Sequence, residues 1–229
     1  MQPLLQLEKI TKTFHQGEQR VEVLKNINLT VNTGEQIAIL GQSGTGKSTL
    51  LSIMAGLDHP DLGTIKVNQE NLATISQDEL SRFRSKHIGI VFQQYHLMRH
   101  LTALENVSIP LEIQRTEEPS QKAREALHSV GLSNRLAHFP SQMSGGECQR
   151  VAIARAMITE PSIILADEPS GNLDQKTGGE IMKLIFDLCR DRGQTLILVT
   201  HNHDLAQKCD RTVILSEGVL KEKASEQIK

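Results

Sequence analysis

The run Gly41-Gln42-Ser43-Gly44-Thr45-Gly46-Lys47-Ser48-Thr49 places three glycines ahead of an ammonium and two hydroxyls. Glycines let a loop close tightly with its N–H groups turned inward, where they form a nest for an anion. Lys47 adds a cation for the β- and γ-phosphates of a nucleoside triphosphate, and the Ser48 hydroxyl suits a hard divalent ion. The Gly-x4-Gly-Lys-Ser spacing marks a phosphate-binding loop only where a strand precedes it and a helix follows. Both conditions are met, because 36–40 reads Gln-Ile-Ala-Ile-Leu, a buried-strand pattern, and 48–55 carries helical spacing. The helix adds its positive N-terminal end to the cradle.

A second group follows from Ile163-Ile-Leu-Ala-Asp167-Glu168, an aliphatic run that delivers two adjacent carboxylates where a strand ends. Ligands of open α/β sheets sit at that end of the strands. Asp167 is expected to orient Mg²⁺ through its water shell, and Glu168 to polarise the water that attacks the terminal phosphate. Alone, two acids closing a strand are more often a solvated cap; the phosphate loop makes the catalytic reading the stronger one.

These groups need a scaffold. Residues 36–40, 88–92, 162–166, 195–199 and 212–215 read as short buried strands, while 4–13 and 21–31 alternate apolar with polar as half-exposed antiparallel strands do. Between 94 and about 155 the pattern turns helical, with Ala103–Ile113, 120–130 and 146–158 as the candidates. The expected fold class is therefore α/β: a mixed sheet core with an antiparallel β subdomain and a helical subdomain over 94–155, all within one domain, 1–229. The polar stretch 222–229 is expected to fray.

Composition excludes several classes. A net charge of −2 without long Lys/Arg runs gives no footprint for nucleic acid, and one Tyr, no Trp and five Phe leave little for base stacking. The longest purely apolar runs, such as 163–166 and 196–199, are too short to cross a bilayer. Met1-Gln2-Pro3-Leu4 carries no basic leader, so the cytoplasm is the expected compartment. Cys148, Cys189 and Cys209 are widely spaced and odd in number, which reads as reduced thiols.

Met143-Ser144-Gly145-Gly146-Glu147-Cys148-Gln149-Arg150 lies upstream of the Asp167 strand, and with it the sequence resembles the ABC (ATP-binding cassette) ATPases over about residues 4–220. That family carries Leu-Ser-Gly-Gly-Gln here; Met143 and Glu147 replace the flanking residues. The resemblance implies a P-loop NTPase of ABC type that binds ATP with Mg²⁺. The ATP-binding set would be Phe14, Gly41, Gln42, Ser43, Gly44, Thr45, Gly46, Lys47, Ser48, Thr49, Gln93 and Asp167, with Phe14 stacking on adenine. Ser48, Gln93 and, through water, Asp167 would serve the metal. Glu168, His201 and Lys47 would be catalytic. Ser144, Gly145, Gly146 and Glu147 would act on the nucleotide of a second copy, with Asp174 of the D-loop at the interface.

The resemblance further implies an ATP-dependent homodimer and integral-membrane permease subunits as partners, with the chain peripheral at the cytoplasmic face of the inner (cell) membrane. The runs Arg84 to Met98, 101–107 and Asp167-Glu-Pro-Ser-Gly-Asn-Leu-Asp174 are similar to the branch that powers lipoprotein release, macrolide export and related FtsX-type permeases, although Ser170 and Cys148 depart from its pattern. The competing expectation is a soluble ABC-type ATPase not coupled to transport. Such proteins usually fuse two cassettes or add a coiled coil or zinc insert, and 229 residues contain none of these.

Overall fold

A computed structural model describes residues 3–17 and 19–222. The chain forms two compact units, Met1–Leu80 with Thr195–Lys229, and Ser81–Gln194. The first begins with β1 (Pro3–Gln16), β2 (Gln19–Asn32), β3 (Gln36–Leu40), α1 (Lys47–Met54), β4 (Leu62–Val67) and β5 (Glu70–Asn71), and the chain passes to the second through α2 (Gln77–His87). The second holds β6 (Ile88–Val91), α3 (Ala103–Ile113), α4 (Pro119–Ser129), α5 (Gly145–Met157), β7 (Ile163–Asp167) and α6 (Gln175–Asp191). The first unit resumes with β8 (Thr195–Thr200), α7 (His203–Ala206), β9 (Arg211–Ser216) and β10 (Val219–Glu222).

In the first unit β1 pairs antiparallel with both β2 and β4, giving the order β2-β1-β4-β5. Leu5, Leu7 and Ile10 of β1 and Leu24, Ile27 and Leu29 of β2 are buried while their polar neighbours face outward. The alternation slips where the register shifts between Leu7 and Ile10, at Lys9 with φ 53°. That is the unpaired residue of a bulge, which adds twist to the strand. The phosphate-loop strand is built otherwise: β3 runs parallel to β8 and β9, and every residue of β3 and β8 is buried. Strands covered on both faces read as continuous aliphatic runs, which is why the sequence marks them so clearly.

In the second unit β6 and β7 pair in parallel, and α5 packs on β6, α3, α4 and α6. The architecture is mixed α/β with an antiparallel sheet and helical parts, as the sequence implied. Some elements went unread. α6, the longest helix described, holds Gly178-Gly179, which interrupt its helical signal; Gly178 is buried, and a Cβ there would stand 3.2 Å from the Ser170 Cβ. β4 and α2 were likewise missed, since β4 is exposed at Leu62 and Gly63 and α2 is largely polar. β6 stops at Val91 rather than Phe92, whose carbonyl accepts a hydrogen bond from the Gln149 side chain. Glu222 closes β10 and pairs with Arg211; the rest of the tail expected to fray, 223–229, lies outside the described residues.

Candidate functional site

The loop 41–46 joins fully buried β3 to α1, and Gly46 caps the helix with φ 98°. That backbone region favours glycine, and a Cβ there would also lie 2.8 Å from the Val23 Cγ1. Lys47 is 6% exposed, and its ammonium donates to the Gly41 and Gln42 carbonyls at 2.9 and 2.8 Å. The loop's own backbone thus holds the cation at its mouth. Ser43, Gly44 and Ser48 are exposed there, and Thr49 is half-buried in the first turn.

His201 follows β8 directly and is exposed, although the strand before it is buried throughout. Its loop is fixed by Asn202, whose side chain caps α7 by accepting from the Asp204 and Leu205 amides. A cavity of about 320 Å³ in this unit is lined by Gly41, Gln42, Thr45, His201, His203 and Ser216, so the histidine and the phosphate loop share one concavity. Phe14 lies on β1 and is 43% exposed, so it is no core residue. The Lys12 ammonium sits 5.5 Å from its ring centroid and is held by Asp58 at 2.8 Å.

In the second unit Asp167 ends β7, half-buried, after four buried residues. Glu168 follows with φ 43°, a conformation that costs a non-glycine residue about 1–2 kcal/mol. The Glu168 carbonyl accepts from the Gly171 amide at 2.9 Å, a turn that carries the chain toward α6. Asp174 caps α6 by accepting from the Lys176 and Thr177 amides, both at 3.1 Å. Hydrogen bonding from Thr177 holds its carboxyl below the usual range.

Ser144 caps α5 in a reciprocal box: its hydroxyl accepts from the Glu147 amide at 3.2 Å, and its amide donates to the Glu147 carboxylate at 2.8 Å. The helix begins at Gly145, one residue earlier than the periodicity suggested. Both glycines are contact points, since a Cβ at Gly145 would stand 2.7 Å from the Tyr95 hydroxyl and one at Gly146 would stand 2.6 Å from the Thr177 methyl. Arg135 Nε donates to the other Glu147 oxygen at 2.7 Å, and this bond, with the Ser144 amide, lowers the carboxyl to about 2.

Sequence reasoning missed the residues that hold the loop after β6. Gln149 is fully buried and donates to the Phe92 carbonyl at 3.2 Å. Arg155, also on α5, reaches the Tyr95 and His96 carbonyls at 2.9 and 2.8 Å. Asn106 of α3 accepts from the Met98 amide and donates to the Met98, Leu101 and Thr102 carbonyls. Gln93 and Asn172 bond reciprocally at 3.1 Å. Asn106 sits on α3 with Glu105, Ser108 and Glu112, and Gln149 and Arg155 sit on α5 with Glu147 and Arg150, so the local pattern did not single them out.

A glycine cradle at the end of one buried strand and paired carboxylates at the end of another define a P-loop nucleotide hydrolase. The ABC transporter family model matches residues 24–171. The chain is 50% identical to the lipoprotein-releasing system ATP-binding protein LolD of Geobacter metallireducens, over 95% of this chain and 98% of that one. It is 48% identical to LolD of Bacteroides fragilis, over 94% and 99%. Among solved structures it is similar to a dimeric post-hydrolysis state of the ATP-binding cassette MJ0796 bound to ADP and Pi, with TM-score 0.88 and 41% identity over 95% of this chain and 98% of that one. This chain belongs to the ABC transporter family and is one of its ATP-binding, ATP-hydrolysing cassettes. Among the described residues no helix is long and apolar enough to cross a membrane.

Proposed function

We propose that this chain powers a lipoprotein-releasing transporter, acting as an ATP-dependent pair attached to integral-membrane permease subunits at the cytoplasmic face of the cell membrane. The observation that carries this reading is the near full-length match, at 50% identity, to a relative named for lipoprotein release. A cavity of about 650 Å³ in the second unit supports a docked permease segment; Tyr95, Leu97, Pro140 and Met143 line it, and Met98 is exposed on the same loop.

In this reading the 41–49 loop grips the triphosphate, with Lys47 on its outer phosphates and Phe14 against the adenine. The residues fit that ligand: Gly44 and Gly46, at φ 82° and 98°, give the loop the turn that an anion nest needs, and the Lys47 ammonium already rests among carbonyls at the loop's mouth. Ser48, Gln93 and Asp167 would hold Mg²⁺, an all-oxygen donor set suited to a hard cation that keeps its waters and shares ligands with the phosphates. Mg²⁺, when bound, would neutralise charge between the phosphates. Glu168 takes the proton of the attacking water, and His201 orients that water and the terminal phosphate. The helical stretch 94–155 carries Ser144, Gly145, Gly146 and Glu147 to the nucleotide of the second copy, with Asp174 at the interface, so hydrolysis requires closure of the pair.

Affinity purification of the chain from membranes tests the reading. The expected result is a co-purifying permease with an extracytoplasmic domain, and ATPase activity that chelation of Mg²⁺ abolishes. A fully active chain that never engages a membrane protein would instead favour the soluble ATPase.

A further inference from the structure

Glu147 stands where the resembling family carries glutamine, so this chain puts a carboxylate in the first turn of the helix assigned to a second copy's triphosphate. An acid there is sound for the helix, since it completes the capping box and meets the positive helix end. It is unsound for binding, because it offsets the charge that would attract phosphate. The carboxyl is lowered to about 2, first by its hydrogen bond from Arg135, so it is ionised throughout the physiological range.

Arg135 ends a short 3-10 turn, Ser133–Arg135, whose backbone is held by the Arg135 amide on the Leu132 carbonyl and the His138 amide on the Arg135 carbonyl. The guanidinium is therefore delivered from a fixed turn to Glu147 at 2.7 Å, with side-chain exposures of 42% and 26%. A half-exposed pair of this kind contributes little to folding. Its larger effect is on the charge presented beside Ser144.

We infer that Arg135 is a positioning residue of the ATP sandwich: it neutralises the Glu147 carboxylate so that the α5 terminus presents no net negative charge to the partner's triphosphate. The inference rests on the proposed reading that Ser144 to Glu147 close over that nucleotide. Net charge at the terminus then orders the variants. Arg135→Ala leaves −1, the double variant Arg135→Ala/Glu147→Gln restores zero, and Glu147→Gln alone gives +1 while glutamine keeps the capping box.

The test measures the ATP concentration that drives dimerisation on a sizing column, in the Glu168→Gln background. Arg135→Ala is expected to weaken dimerisation about tenfold, and the gap should narrow with added salt. The double variant is expected to return to within about twofold of the parent, and Glu147→Gln to tighten the pair. Arg135→Gln gives the same comparison with less loss of packing, Arg135→Lys, which keeps the charge, is expected to stay near the parent, and ADP binding by the monomer checks that each variant folds. If Arg135→Ala and Glu147→Gln weaken the pair alike and the double variant gives no rescue, the ion pair is a mere tether and the inference fails. Ser144→Arg separates the two levels. If it leaves dimerisation intact, the sandwich reading fails; if it blocks dimerisation while Arg135→Ala matches the parent, the Arg135 assignment alone fails.

Discussion

Gln93 and Asn172 hold each other by two reciprocal hydrogen bonds, Gln93 Nε2 to Asn172 Oδ1 and Asn172 Nδ2 to the Gln93 carbonyl, each 3.1 Å. The segment after β6 and the segment after β7 are tied to each other at these two residues. With its amide nitrogen committed to Asn172, the Gln93 side chain has its carbonyl oxygen left for a cation. Asn172→Ala should therefore lower kcat about three- to tenfold, the worth of one or two net hydrogen bonds, with the KM for ATP nearly unchanged because the phosphate loop lies in the other unit. Steady-state ATPase measurements check this, and an unaltered kcat would contradict it.

Arg155 ties the same loop to α5. Its two bonds to the Tyr95 and His96 carbonyls place a charged donor in a half-buried setting, where removal strands both acceptors. Arg155→Met should cost about 2–4 kcal/mol in urea unfolding, and Arg155→Lys, which cannot reproduce the fork, should recover only part of that. Hydrogen exchange should show the loss of protection concentrated near 95–98. Equal stability of Arg155→Met and the parent would remove Arg155 from this role.

Glu168 follows a buried strand in a backbone conformation that few glutamates adopt, which aims its side chain differently from a regular continuation of β7. For a general base, Glu168→Gln keeps shape and hydrogen bonding but removes proton uptake. Hydrolysis should fall by at least about a hundredfold while ATP binding persists, and a nucleotide-bound dimer should accumulate on sizing. Full turnover by Glu168→Gln would take the residue out of the chemistry.

How far these relationships were legible in the sequence depends on their range along the chain. The phosphate loop announces itself because its glycines, lysine and serine are contiguous and flanked by a buried strand and a helix. His201 is visible because it breaks the aliphatic run 195–200. The family, the fold class and ATP hydrolysis follow from such local signals. Arg135 with Glu147, Gln149 with Phe92, Arg155 with Tyr95 and Asn172 with Gln93 are side-chain bonds across 12 to 79 residues, some of them to backbone atoms, and no periodicity encodes them. The capping box at Ser144 was legible as Ser-x-x-Glu, yet Glu147 was read only for its nucleotide-facing role.

That box also predicts a pH dependence. Glu147 is lowered from its ordinary 4.5 to about 2, chiefly by Arg135 and then by the Ser144 amide. A carboxyl depressed in the folded state binds fewer protons there than in the unfolded chain, so its contribution to stability is fully present above the unfolded value. That contribution drains away as pH falls from about 4.5 toward 2. Glu147→Gln keeps a neutral version of the cap and removes the titration. The stability gap between parent and Glu147→Gln should therefore be constant from neutral pH down to about 5 and then shift in disfavour of the parent as acid is added. Chemical unfolding of both proteins across that range measures the gap directly. A gap that stays flat below pH 4 would mean that Arg135 and Ser144 do not depress the carboxyl in the folded chain, although at neutral pH it would carry its charge all the same.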